Sequence, residues 1–134
     1  MATETFELSS IESTDEATIT LKHPNTGDDL PVTVTVFNPD SDAAKESNTK
    51  MRAKITRYIE RNKGASAEQK QIFFDRVERE RNIALIKSIN GVTDKGVPFT
   101  NVEELCKIRP WILTQASEAV NCTSNFIKDS LPAA

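Results

Sequence analysis

The sequence is short of the residue types that build most catalytic and metal sites. It has one histidine and two cysteines, Cys106 and Cys122, and neither cysteine belongs to a C-x-x-C pair. Two cysteines in 134 residues do not make the disulfide framework of a small secreted protein. We interpret both as small apolar residues in a reducing compartment, and a disulfide between them is the alternative.

Long apolar runs are also missing. No stretch approaches the roughly 20 consecutive apolar residues that a membrane-spanning helix needs. The first residues, MATETFELSS, have neither the basic start nor the apolar core of a signal peptide. We therefore predict a cytoplasmic protein that does not enter a membrane. A hydrophobic content of 37% and a charged content of 28% are typical of a globular chain, and 134 residues suit one domain.

Motifs for catalysis are absent from the sequence. No G-x-S-x-G motif and no phosphate-binding G-x-x-x-x-G-K-[ST] motif occurs. His23 is followed by Asp28 and Asp29 across a turn, so a metal site is conceivable there, but a solvated turn is the preferred interpretation. We predict no catalytic, cofactor-binding or metal-binding residues, and we expect that the protein is not an enzyme.

Charge is distributed unevenly along the chain. Residues 1–42 hold one Lys and nine Asp/Glu, whereas residues 43–63 hold seven Lys/Arg and two Glu. The basic segment could bind nucleic acid, although the chain as a whole carries a net charge of −3. The preferred interpretation is a solvated helix face, or one that docks on the acidic N-terminal part.

Residues 18–38 are predicted to form a β-hairpin. Apolar and polar residues alternate on both arms, in TITLK and in VTVTVF, which is typical of half-buried strands. The turn formers of HPNTGDDLP connect the arms, with eight residues from His23 to Leu30 between them. Phe6 and Leu8 are candidates for the start of a third strand. Residues 1–17 otherwise suggest a flexible arm.

The rest of the chain, residues 42–129, is predicted to be helical. One helix runs from Asp42 to Asn62 after a cap at Asp40, Ser41 or Asp42, with Met51, Ile55, Tyr58 and Ile59 on one face. A second starts at the S-x-x-Q capping box of Ser66 and continues to Ile89, where Asn90-Gly91 ends it.

A polar connector separates these two helices from two more. The T-x-x-E pattern at Thr100, preceded by Phe99, predicts the start of a third helix. Pro110 ends it and begins a fourth helix, whose apolar stripe extends to Ile127. Trp111 lies beside that stripe, so it either packs in the core or faces a partner. The predicted fold is α+β and mainly helical, in one domain: an N-terminal hairpin of two or three strands packed on a bundle of about four helices.

Three segments in this order carry a family resemblance. They are HPNTGDDLPVTVTVFNPDS before a helix, the connector SINGVTDKGVPFT, and NVEELCKIRPWI before a helix ending in NF. Over about residues 18–127 the chain resembles the tail assembly chaperones of long-tailed bacteriophages. The matching residues are Pro24, Thr26, Gly27, Asp40, Ser41, Gly91, Asp94, Gly96, Pro98, Phe99, Asn101, Pro110, Trp111, Asn125 and Phe126.

The resemblance implies a function without covalent chemistry. Such proteins bind the tape measure protein in the host cytoplasm, keep it soluble, help to recruit tail tube subunits, and are absent from the finished virion. This chain would be the short form of a pair related by frameshifting. We expect helix-borne aromatic residues to meet the partner, and a free hairpin edge to allow self-association. The candidates are Phe73, Phe74, Phe99, Trp111 and Phe126.

Two other functions stay open at this point. One is a structural tail completion or connector protein that remains in the virion. The other is a nucleic-acid-binding regulator that uses the basic residues 43–63, which would give salt-dependent DNA binding.

Overall fold

The computed structural model describes residues 4–129, and within them the predicted α+β class with N-terminal strands and four helices is confirmed. The helices are α1 (Asp42–Arg61), α2 (Ala67–Ala84), α3 (Val102–Ile108) and α4 (Pro110–Asn121). The strands are β1 (Ile11–Ser13), β2 (Glu16–Lys22), β3 (Asp29–Phe37), β4 (Ile86–Asn90), β5 (Thr93–Asp94), β6 (Val97–Pro98) and β7 (Ile127–Asp129).

The main sheet has three antiparallel strands in the order β2-β3-β4. The predicted hairpin forms its first two strands, and the connection between them is shorter than expected, because β3 already begins at Asp29. Alternation decides the two faces. Leu21, Val34 and Val36 are fully buried on one face, while the hydroxyls of Thr18 and Thr35 bond to each other at 2.9 Å on the other.

The core lies between this sheet and the two C-terminal helices. Buried residues of α3 and α4, among them Leu105, Ile112 and Ala116, pack with those of the sheet in one cluster. Phe126, in a short 3-10 turn after α4, closes the same cluster. Pro110 at the first position of α4 is confirmed as a helix start, but α4 ends at Asn121, short of the predicted Ile127.

The predicted second helix is five residues too long, because its last part is a strand. Helix α2 stops at Ala84, and residues 86–90 form β4, paired with β3 through Val34–Ile89 and Val36–Ile86. A β-bulge between these pairs leaves Lys87 without a partner on β3. Ile86 and Ile89 therefore both reach the core at a spacing of three residues, which in the sequence is indistinguishable from helical spacing.

The N-terminal segment was expected to be a flexible arm, and the part of it that the structure describes has regular structure. Residues 8–10 form a 3-10 turn, and β1 pairs with β7 close to the C-terminal end. The backbone N–H of Thr14 donates to the carbonyl of Phe126 at 2.7 Å. The third strand of the main sheet is β4, so it does not come from Phe6 and Leu8. Residues 1–3 of the expected arm lie outside the described range.

Two helix caps fit the predictions and one does not. The Ser41 hydroxyl accepts from the backbone of Ala44 at the start of α1, and the capping box of Ser66 and Gln69 is fully formed at the start of α2. Helix α3 is capped by the side chain of Asn101, one residue after the predicted Thr100. Asparagine is at least as good a cap as threonine, so either pattern fits the sequence.

Candidate protein-binding groove

Helices α1 and α2 form an antiparallel hairpin that has its own small interior. The ring of Tyr58 stacks on Phe73, and Lys54 of α1 pairs with Glu80 of α2 at 2.7 Å. The buried residues of this hairpin, Ala44, Phe73 and Val77, are not members of the core cluster under the sheet. The hairpin therefore keeps one side that the rest of the described chain does not cover.

On that side an apolar groove runs between the two helices, and we call it the α1–α2 groove. It contains two hollows of about 270 and 340 Å³, and the side chain of Phe74 lines both. Met51, Ile55 and Val77 line the first, and Tyr58 and Ile59 line the second. Phe74 is 37% exposed and Ile59 is 53% exposed, so a partner can reach both.

Positive charge surrounds this apolar floor. The side chains of Arg52 and Arg81 line the first hollow, and those of Lys63 and Lys70 line the second. Glu78 is the one carboxylate among the residues that line the two hollows. Within residues 4–129, none of these four cations has a carboxylate oxygen within the 4.0 Å of an ion pair.

The five aromatic residues proposed from the sequence do not come together at one surface. Phe74 lies in the groove. Phe73 and Phe126 are only 6% and 2% exposed, so their side chains belong to the interior and not to a surface that a partner meets. Trp111 and Phe99 are half-buried and pack against the core cluster, which favours the core interpretation of Trp111.

Sequence reasoning missed the groove although part of its signal was visible. Met51, Ile55, Tyr58 and Ile59 share one face of α1 in the sequence, but the pattern does not tell whether another element covers that face. Only the pairing with α2 shows that Phe73 turns inward while its neighbour Phe74 turns outward.

The basic residues of α1 do not form one continuous basic surface, because some of them are in ion pairs and another lines the groove. Lys50 pairs with Glu46 in its own helix and Lys54 pairs with Glu80 of α2, while Arg52 lines the groove. The ion pairs of α1 in the described chain do not include the acidic hairpin of β2 and β3, although docking of the two was one interpretation of the sequence.

The other candidate residues have local roles. Nδ1 of His23 accepts from the backbone N–H groups of Asn25 and Thr26, at 3.1 and 3.3 Å, and so organises the β2–β3 turn. In residues 4–129 no group of three His, Cys, Asp or Glu side chains is placed to hold a metal ion. Cys106 and Cys122 are both free thiols.

The two thiols differ in their surroundings. Burial raises the pKa of Cys106, and the nearby charge of Arg79 partly opposes that effect. A hydrogen bond with the hydroxyl of Ser124, at 3.2 Å, lowers the pKa of the exposed Cys122. The Cys122 thiol is therefore exposed to solvent and loses its proton at a lower pH than the buried Cys106 thiol.

Within residues 4–129, the outer edge of β2 is open only in its middle. At one end Thr14 bonds to Phe126, and the Thr14 hydroxyl donates to the carbonyl of Glu16 at 3.0 Å. At the other end the side-chain amide of Gln115 bonds to both the N–H and the C=O of Lys22, at 2.9 and 2.7 Å. An incoming strand could pair with β2 only between these two points.

Comparisons with protein-family models, with curated proteins and with solved structures gave no significant match. Among the described residues, no helix combines the length and the apolar character needed to cross a bilayer.

Proposed function

We propose that this protein is an assembly chaperone that binds a helical segment of an unassembled partner in the α1–α2 groove. The observation that carries the proposal is the uncovered apolar floor around Phe74 and Ile59, on a hairpin whose own interior is already closed by Tyr58 and Phe73. Apolar grooves between amphipathic helices are a common way to bind a partner helix.

The class of partner comes from the family resemblance. On that basis the client is a phage tape measure protein, which is long, helical and prone to aggregation before the tail tube surrounds it. The protein would act in the host cytoplasm and be absent from the mature virion. Charged residues around an apolar groove suit such a role, because the chaperone must stay soluble while it presents apolar surface.

The open middle of the β2 edge supports a second contact, with a tail tube subunit or with another copy of this chain. The segment between Thr14 and Lys22 offers backbone groups to an added strand. We therefore propose self-association as well. Sedimentation analysis at high protein concentration should show dimers or larger species, and a strict monomer would contradict this part of the proposal.

Co-expression with a client tests the main proposal. Candidate tape measure and tail tube proteins should be expressed with and without this chain, and the soluble fraction of each candidate should be measured. We expect soluble tape measure protein only when the chaperone is present. If neither candidate is recovered in a complex with this chain, the proposal is wrong.

Groove variants make that experiment specific. Ile59→Asp and Phe74→Asp should abolish recovery of the client, because a carboxylate would interrupt the apolar floor. Ile72→Asp is the matched control, since Ile72 is an α2 residue that is 61% exposed and lines neither hollow. Mass spectrometry of purified virions distinguishes the chaperone from the alternative, a structural tail protein. The chaperone should be absent from the particle, whereas a structural tail protein would be present in it.

A further inference from the structure

We infer that the α1–α2 groove selects an amphipathic helix whose apolar stripe is flanked by Asp and Glu. The inference rests on the proposed function, in that it assigns the chemistry of the segment that the same groove binds. Two properties of the groove lead to it: the sign of its rim charges and the spacing of its hollows.

The rim charges are positive and available. Arg52, Arg81, Lys63 and Lys70 line the two hollows together with a single carboxylate, that of Glu78. Because none of the four is in an ion pair within residues 4–129, a ligand does not have to displace an internal partner to reach them. Cations beside an apolar floor complement a helix that has carboxylates beside its apolar stripe.

The hollows set the length of the segment. Along α1 their lining residues run from Asn48 to Ile59, which at 1.5 Å per residue is about 17 Å, or about three helical turns, and the lining residues Asn62 and Lys63 follow directly after α1 ends. A helix of about 15 residues would span both hollows. Each hollow would take apolar side chains on one face of that helix, on the two sides of Phe74.

The lining of the groove also argues against two other ligands, a second copy of this chain and nucleic acid. If a second copy docked groove to groove, it would bring the same four cations against these four, and like charges in contact disfavour association. Nucleic acid is also a poor ligand, because the apolar side chains of Met51, Ile55 and Val77 in the first hollow offer phosphates no partner. An amphipathic helix with acidic flanks can place its carboxylates beside the four cations and its apolar stripe on the apolar floor.

Two helical peptides test the inference with the full-length protein. Both have about 15 residues, the same leucine stripe at helical spacing and a side-chain staple, and they differ only in flanking Glu or flanking Lys. By fluorescence anisotropy at low salt we expect the Glu peptide to bind at least about tenfold more tightly than the Lys peptide. That preference should shrink as salt is added.

Protein variants locate the binding. The double variant Arg52→Ala/Arg81→Ala should lose most of the preference for Glu flanks, while Phe74→Ala should weaken both peptides. Arg57→Ala is the control, because Arg57 is a basic residue of α1 that lines neither hollow. Circular dichroism should confirm that each variant is folded, and NMR shifts caused by the Glu peptide should map to the groove.

Several outcomes would overturn the inference. These are equal affinity for the two peptides, an unchanged preference in the folded double variant, shift changes outside the groove, or displacement of the Glu peptide by a short DNA duplex. These outcomes are distinct from a failure of the proposed function. If the double variant still recovers soluble tape measure protein, the chaperone role stands and only the acidic preference is wrong. If the wild type does not recover the client but does bind the Glu peptide, the chaperone role is wrong and the acidic preference of the groove stands.

Discussion

The ring of Tyr58 on α1 lies flat against that of Phe73 on α2, with centroids 3.7 Å apart and planes inclined by 6°. This contact joins the two helices near the turn that connects them. It also fixes the orientation of α2, so that the next residue, Phe74, faces the groove. The groove therefore depends on a stack whose Phe73 ring is buried and whose Tyr58 ring also lines the second hollow.

Removing this stack should loosen the helical hairpin. We expect Phe73→Ala to lower the free energy of unfolding by about 3–5 kcal/mol, since a buried aromatic side chain is lost. Tyr58→Phe is the control and should cost less than about 1 kcal/mol, because the Tyr58 hydroxyl is 3.5 Å from the Gln69 carbonyl, at the limit of a hydrogen bond. Urea denaturation measures both. Hydrogen exchange in Phe73→Ala should rise more in α1 and α2 than in β3.

The connector after β4 contains a glycine that no other residue can replace without strain. Gly91 has φ of +93°, and a Cβ there would overlap the backbone carbonyl of Pro31. We expect Gly91→Ala to cost at least about 2 kcal/mol. Gly64→Ala is the matched control, because a Cβ at Gly64 meets no atom within 4 Å, and its effect should stay within about 0.5 kcal/mol. Equal thermal midpoints for the two variants would contradict this account.

Gln115 of α4 ties the helix to the edge of the sheet. Gln115→Ala removes both of its hydrogen bonds to the Lys22 backbone and should cost about 1–2 kcal/mol. It also frees one end of the β2 edge, so sedimentation should show more self-association than in the wild type. Gln71→Ala removes only a bond within α2, to Asp75, and should change neither property. A fully monomeric, equally stable Gln115→Ala protein would refute the prediction.

The two cysteines should react with alkylating agents very differently. The pKa of Cys122 is lowered by Ser124, so its thiolate forms at a lower pH than an ordinary thiol, and its alkylation rate should rise at that lower pH. Ser124→Ala should move the midpoint of the rate profile to higher pH. Cys106 is buried and its pKa is raised, so it should react only after the protein is unfolded in urea. Mass spectrometry of labelled peptides distinguishes the two sites.

Sequence patterns were most reliable where the local signal had one physical solution. The alternation in β2 and β3, the capping box at Ser66 and Pro110 at the start of α4 all appear in the structure. They failed where one pattern fits two structures. Ile86 and Ile89 are buried as expected, yet a bulge in β4 produces the spacing that predicted a helix. The pairing partner β3 lies about 50 residues earlier, so periodicity alone cannot detect it.

The sequence by itself determined the fold class, the start of each helix to within a residue and the basic character of α1, because these depend on side-chain patterns and capping groups close together in the chain. Only the tertiary structure decided which aromatic residue faces out. Phe73 and Phe74 are adjacent and chemically identical, and the contact with Tyr58 buries one and leaves the other in the groove. Burial depends on the packing of distant segments, and this packing separates the core from the surface offered to a partner.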